Sequence, residues 1–306
     1  SHTFAVCAYG KSPYLEKSIR SVVQQSVKSR VIICTSTPSD YIRDLAEKYH
    51  LPYYVREGES SLQDDWNYAY DQTQTEYVTI THQDDIYHKD YLKYMDQYLG
   101  KHPDTLIAMT DYRIINQHQQ VRWDVSLLIK QIMKLPLRIS FLADKRWVKL
   151  GVQSLGNGIC CPSVCYHKAI LGKSIFQSGY HYALDWDMFV QIAGKKGRFT
   201  YIPKKLFYYR IHDGATTKAC LKNQEKTREE LEMFRKFWPA PVVKLLMRFY
   251  EPDEGVIAYD GTKIGEINTA VLRGGISYVT QETFLRTAAE FDNNKKENLQ
   301  ITESDK

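Results

Sequence analysis

No apolar run in this 306-residue chain approaches the ~18 residues of a membrane span, which excludes a helix buried in lipid. The first residues also lack the basic, apolar and small-residue regions of a signal peptide. The expectation is a cytoplasmic protein, with peripheral attachment at the inner face of a membrane left open. Cysteine is sparse and poorly spaced for metal: Cys7, Cys34, Cys160, Cys161, Cys165 and Cys220 form no CxxC pair matched by a second pair or by histidines. Reduced thiols are expected, and Cys160, Cys161 and Cys165 have no evident fourth ligand for zinc. There is neither a dense Lys/Arg cluster nor a nucleic-acid motif, so no nucleic-acid partner is expected.

What is present reads as a soluble globular chain of one large domain or two modest ones, with 43% hydrophobic and 25% charged residues. The 23 Tyr, 11 Phe and 5 Trp suit stacking on sugars or nucleosides, and equally suit packing. Charge is uneven. Residues 241–306 carry 8 Lys and Arg against 11 Asp and Glu, which leaves a net +8 on residues 1–240. A basic body fits anionic substrates such as nucleoside diphosphates, or an anionic membrane surface.

The first hundred residues alternate between strand and helix patterns. Strands are predicted at 4–8, 31–34, 53–55 and 77–81. Helices are predicted at 12–25, after Ser12-Pro13, at 40–49, after Pro38-Ser39, and beyond Ser60-Ser61. This order implies an α/β fold with a mostly parallel sheet flanked by helices, whose ligands gather at strand carboxyl ends. The fourth strand runs straight into His82-Gln83-Asp84-Asp85. Adjacent acids at such a strand exit suit Mg²⁺ or Mn²⁺, which take oxygen ligands and leave room for phosphates. Alternatively, Asp84 or Asp85 caps a helix beginning near Lys89.

Phe4-Ala-Val-Cys-Ala-Tyr9-Gly, followed by Pro13-Tyr-Leu and a helix ending in Val-Val-Gln-Gln-Ser, resembles the opening of family 2 glycosyltransferases of the GT-A fold. Asp65-Trp66-Asn67-x-Ala69, Thr75-Glu76-Tyr77-Val78 and Gln83-Asp84-Asp85 follow in the order of that family's phrases, over roughly residues 3–215. The resemblance implies a metal-dependent inverting transferase that moves a sugar from a nucleoside-diphosphate sugar, most often a UDP-sugar. Its acceptor would be a glycan or a lipid-linked hydroxyl, in cell-surface polysaccharide synthesis. By the same resemblance Asp85 binds Mn²⁺ or Mg²⁺, and Asp84 contacts the ribose or shares the metal. Ala8, Tyr9 and Gly10 would line the nucleoside pocket, with Asp65 and Asn67 as further donor contacts. The family often has an acid after its second strand that reads uracil, but here Cys34-Thr35-Ser36 stands there. The Thr35 and Ser36 hydroxyls then either meet a base edge or form a turn before Pro38.

Ala183-Leu184-Asp185-Trp186-Asp187 aligns with the family's Glu-Asp pair, with Leu184 replacing the Glu. This implies Asp185 as general base, its anion favoured at a helix amino terminus; the alternative is a helix cap. Leu206-Phe-Tyr-Tyr-Arg210-Ile-His212 resembles the closing phrase, implying His212 as a metal or diphosphate contact and Arg210 as a charge partner of the diphosphate or of an active-site acid. For the acceptor, Ser163 and Trp186 are candidates, with turn-rich residues 156–163 as the pocket floor. Residues 127–142, with Lys130, Lys134 and Arg138 among Leu, Ile and Met, form an amphipathic segment for a lid, for packing or for a membrane surface.

The carboxyl end, from Lys244 through Gln281, resembles a fragment of an ABC exporter nucleotide-binding domain. It lacks a G-x-x-x-x-G-K-[ST] loop, a signature and a Walker B strand, so ATP hydrolysis is not expected of it. The expected organisation is a transferase domain at 1–240, an ABC-like fragment at 241–292 with a hairpin around Asp260-Gly261, and a polar tail at 293–306. The alternatives to catalysis are a weak sugar-nucleotide-binding module and a transporter-associated interaction protein.

Overall fold

A computed structural model describes residues 1–122, 125–212, 225–239, 241–242, 245, 252, 254–259 and 262–266. The amino-terminal elements are β1 (His2–Ala8), α1 (Leu15–Val23), β2 (Arg30–Thr35), α2 (Asp40–Lys48), β3 (Tyr53–Val55), α3 (Leu62–Gln72) and β4 (Tyr77–His82). Local chemistry starts two of the helices. Ser39 caps α2 by accepting the Ile42 N–H, and Ser61 caps α3 by accepting the Asp64 N–H. Helix α1 starts later than the Ser12-Pro13 signal, with Tyr14 at its cap position.

The strands of this half pair in parallel, β3-β2-β1-β4, as the alternating pattern predicts. Period two sorts their side chains. Phe4, Val6, Val31 and Ile33 enter one core with Leu15, Ile19, Ile42 and Leu45, while Ala5, Ile32, Val78 and Ile80 enter the other with Ala69, Tyr70, Met188 and Phe189. The sheet is thus covered on both faces.

The second half comprises β5 (Ile86–Tyr87), α4 (Tyr91–Leu99), β6 (Thr105–Ile115), β7 (Val121–Arg122), α5 (Val125–Lys134), α6 (Arg146–Ser154), β8 (Val164–His167), α7 (Lys168–Leu171), α8 (Leu184–Ala193), β9 (Arg198–Arg210) and α9 (Glu225–Arg235). Strand β8 joins the halves, antiparallel to both β4 and β6. The 13-residue β9 runs parallel to β6 and then pairs antiparallel with β5 through Ile86↔Tyr208. That last pairing brings the end of β9 against the turn that leaves β4. Helix α4 is preceded by Asp90 at its cap position, so neither Asp84 nor Asp85 caps it.

Near the carboxyl end, β10 (Ala258–Tyr259) and β11 (Thr262–Lys263) pair antiparallel, flanking residues 260–261. Residues 213–224, 267–306 and much of 240–261 lie outside the described residues, and with them Cys220, most of the ABC-like phrase and the tail expected at 293–306.

Candidate active site

The carboxyl ends of β1, β2 and β4, the start of α3, the turn before β8 and the start of α8 line one cleft of about 640 Å³. Ala8, Tyr9 and Thr35 line it, together with Ser60, Asp65 and Trp66 from the α3 side. Asp65 is held rigidly. Its Oδ1 accepts from Arg56 Nε at 2.8 Å, and its Oδ2 accepts from Ser36 Oγ at 2.9 Å and Ser60 Oγ at 2.7 Å. Ser36 therefore stands behind Asp65 and off the cleft wall. Thr35 Oγ1 accepts the Thr37 N–H at 3.0 Å, which realises the turn reading while the side chain still borders the cleft.

Gly10 (φ +58°) turns the chain away from the cleft, donating its N–H to Thr37 Oγ1 at 2.8 Å. The neighbouring Tyr9 N–H reaches Gln83 Oε1 at 2.8 Å, tying the end of β1 to the acidic turn. Asn67 is also absent from the cleft wall. Its amide makes a two-way clasp with the Phe176 backbone, donating to the carbonyl at 2.7 Å and accepting the N–H at 2.9 Å. The helical period carries Asn67 to a different face of α3 from Asp65, which corrects the donor reading for this residue.

The two acids after β4 divide their tasks. Asp84 lines the cleft, where its Oδ2 lies 2.8 Å from His212 Nε2, while Asp85 is 1% exposed and accepts the Arg210 N–H at 2.9 Å through Oδ1. Asp85 Oδ2 is buried without a hydrogen-bond partner. Burial and the neighbouring charge of Asp84 push the Asp85 carboxyl well above its usual range. Burial acts in the same sense on Asp84, but the His212 hydrogen bond and nearby His82 outweigh it and hold Asp84 low. Of the two acids it is Asp84 that borders the cleft, whereas the expectation placed the emphasis on Asp85.

Arg210 is 1% exposed and stands behind this turn rather than on the cleft wall. Its Nε donates to the Asp84 carbonyl at 2.8 Å and its Nη1 to the Asn116 carbonyl at 3.1 Å, with the guanidinium over Tyr14 at 4.5 Å. Its guanidinium braces the backbone of the acidic turn, and its own N–H meets the Asp85 carboxylate. The antiparallel β5–β9 pairing puts it there, and no local pattern announces that pairing.

Asp185 sits in the first turn of α8, facing the cleft, with Ala183 at the cap position. It therefore does not cap the helix; its Oδ1 accepts the Trp186 N–H at 2.8 Å. Burial pushes its carboxyl up to about 6, against the Asn157 hydrogen bond, the Trp186 N–H and the positive charge of Lys130. The loop entering α8 is held from outside. Glu229 of α9, itself buried, accepts the N–H groups of His181, Tyr182 and Ala183 at 2.7–3.0 Å.

The acceptor candidates fare unequally. Ser163 is fully buried and donates to the Cys160 carbonyl at 2.7 Å, so it does not border the cleft. Trp186 borders it, but its Nε1 is committed to the Gln153 carbonyl at 3.1 Å. The floor expected at 156–163 is present through Asn157, Ile159, Cys160, Cys161 and Pro162. Lys130, Asn157 and His82 border the cleft without having been singled out as site residues. Lys130 lies on an amphipathic face whose cleft side only packing against β6 reveals, and His82 reads locally as one more strand residue.

The family described as Glycosyl transferase family 2 matches residues 3–154. Among solved structures, TarS from S. aureus in complex with UDP-GlcNAc is 15% identical with a TM-score of 0.54, covering 82% of this chain and 68% of that one. Its UDP complex is 16% identical with a TM-score of 0.52, covering 80% of this chain and 65% of that one. The mannosyltransferase PcManGT from Pyrobaculum calidifontis, in complex with GDP-Man and Mn²⁺, is 15% identical with a TM-score of 0.52, covering 79% and 66%. These likenesses establish the GT-A fold. Short stretches also match two curated transporters. They are a probable ABC transporter ATP-binding/permease protein of Haemophilus influenzae, 38% identical over 64 residues, and ABC transporter B family member 2 of Dictyostelium discoideum, 48% identical over 58. The matches cover 21% and 19% of this chain and span 11% and 4% of those relatives' lengths.

Proposed function

Because residues 3–154 match the family described as Glycosyl transferase family 2 and the fold is that of GT-A transferases, we propose that the protein is a metal-dependent inverting glycosyltransferase. The observation that carries this reading is the shared cleft at strand carboxyl ends, onto which Asp84 with His212 and, separately, Asp185 from the first turn of α8 all open. Asp185 takes the proton of the acceptor hydroxyl as that oxygen attacks the anomeric carbon from the face opposite the diphosphate. A carboxyl poised near 6 is ionised at neutral pH and still basic enough for this transfer.

The donor set at the other end fits a divalent cation. Carboxylate and imidazole groups converge there, and Asp85 Oδ2 and His82 Nε2 are buried with no hydrogen-bond partner. Asp84 and His212 would hold the ion on the cleft side. Such an ion, Mn²⁺ or Mg²⁺, would supply positive charge where a diphosphate leaves. Asp65, fixed by Arg56, Ser36 and Ser60, borders the nucleoside end with Ala8, Tyr9 and Thr35. Structural neighbours hold UDP, UDP-GlcNAc and GDP-Man, which supports a nucleotide-sugar donor with a UDP-sugar as the first to try.

The acceptor is a hydroxyl of a glycan or of a lipid-linked saccharide, in keeping with a role in cell-surface polysaccharide synthesis. Peripheral membrane contact is supported by α5 and the segment after it, which expose Leu128, Ile129, Ile132, Leu135, Ile139 and Phe141 beside basic Arg138, Lys145 and Arg146. The ABC-like segment at 241–292 has no assigned part in transfer. A docking role for it predicts that its deletion leaves nucleotide affinity unchanged.

Calorimetric titration of UDP, GDP, CDP and dTDP, each with Mn²⁺ and with EDTA, tests the reading. Metal-dependent binding of one diphosphate is expected, lost in Asp84→Ala and kept in Asp185→Asn, with turnover lost in both. Binding of none of the four under either condition overturns it.

A further inference from the structure

His82 is given no ligand role in the reading above, yet it occupies the carboxyl end of β4, ahead of the two acids. Its ring is stacked on Trp66 with centroids 4.9 Å apart and planes 25° apart, which restricts the directions its nitrogens can face. Nδ1 lies 3.9 Å from Asp85 Oδ2. Nε2 is buried without a hydrogen-bond partner, as is that carboxylate oxygen. One ligand atom from each of His82, Asp84 and Asp85 lies within 4.8 Å of the others, and His212 Nε2 is 2.8 Å from Asp84. Orphaned polar atoms cost free energy when buried, and the Asp85 oxygen, with the His82 imidazole beside it, calls for a partner held between them. A divalent cation among these groups would take that oxygen and one imidazole nitrogen as ligands.

We propose that His82 is a ligand of the site's cation, giving it two imidazoles with its carboxylates and a preference for Mn²⁺ or Co²⁺ over Mg²⁺. The proposal rests on the metal-dependent reading and adds to it the class of ion. Mg²⁺ demands oxygen donors and sheds water reluctantly, whereas imidazole binds first-row transition ions with affinity rising from Mn²⁺ to Co²⁺. Trp66 is the positioning residue, because its face fixes the plane of the ring.

The test titrates Mn²⁺, Co²⁺ and Mg²⁺, each alone, into the metal-free full chain by calorimetry, and records the visible bands of bound Co²⁺, which report nitrogen ligation. His82→Asn and His82→Gln are compared, with thermal melts to show that they fold. Wild-type protein is expected to bind Mn²⁺ at least ~10-fold more tightly than Mg²⁺, and either variant to lose ~10-fold or more in Mn²⁺ and Co²⁺ affinity with a smaller change for Mg²⁺. Mg²⁺ bound as tightly as Mn²⁺, or folded variants with wild-type Co²⁺ bands, would overturn it.

Nucleotide titrations with the same samples separate this inference from its premise. A diphosphate that binds with Mn²⁺ equally well in the His82 variants, at unchanged Mn²⁺ affinity, removes His82 from the site and leaves the transferase reading standing. His82-dependent Co²⁺ bands with no diphosphate bound under any cation keep the ligand role and remove the transferase reading.

Discussion

Asp185 is under two opposed demands. Its carboxyl, raised from 3.8 to about 6 by burial, binds a proton more tightly in the folded than in the unfolded chain. Ionisation therefore costs the fold stability, and that cost grows as pH rises from about 4 to about 6 and persists above. Asp185→Asn should accordingly melt at a higher temperature than wild type at pH 7, the two curves converging below pH 4, while turnover falls by ~10²–10⁴. In the wild type, kcat/KM should rise about tenfold per pH unit up to about 6 and then level, because only the anion accepts a proton. A pH profile with no acid limb in that region would remove Asp185 as the base. Asn67 has the contrary character. Asn67→Ala breaks both links to the Phe176 backbone and should cost ~1–3 kcal/mol of stability with nucleotide affinity unchanged, as denaturant titration and calorimetry would show.

At the scale of elements, the loop into α8 is anchored by one carboxylate. Glu229 collects three backbone N–H groups just ahead of Asp185, and Trp186 packs edge-on against Phe234 of α9 at 5.3 Å. Glu229→Ala orphans those donors. It should lower the melting temperature and reduce kcat, with donor Kd held, since the proposed nucleotide end is lined by β1, β2 and α3. Equal loss of kcat and of nucleotide affinity would mean that the whole cleft had loosened. The amino-terminal elements were legible from local pattern because each carries its own signal. Alternation marks β1, β2 and β4, and Ser39 and Ser61 mark their helices within a turn. The later strands were less legible. The direction of β8 and the reach of β9 depend on residues more than eighty positions apart, and no window of sequence contains that information.

At the scale of the whole molecule, the proposed contact with a lipid surface bearing negative charge rests on the exposed apolar strip on α5 and beyond, with Arg138, Lys145 and Arg146 near it in sequence. Co-sedimentation with anionic vesicles is expected, weakening with salt and lost when Ile129 and Ile132 are both replaced by Glu. Equal recovery with neutral and anionic vesicles, or none with either, would count against it. Lys134 of the same helix is turned inward. Its Nζ meets Asp111 Oδ1 at 2.8 Å, and Tyr201 donates to the other oxygen at 2.7 Å, so one helix both presents its apolar face and is bolted to β6 and β9.

From residues alone came the α/β order, the acids at the exit of β4, Asp185 at the start of a helix and the Arg-x-His phrase. Each is a local signal, set by periodicity, capping or adjacency within one turn. Which of two neighbouring acids faces the cleft, that Arg210 props the acidic turn, that Asn67 clasps Phe176 and Ser163 is buried, and that His82 leaves a nitrogen without a partner were decided only by the tertiary structure. Those outcomes depend on which strand lies next to which, and burial and hydrogen bonding assign roles only after distant segments have met.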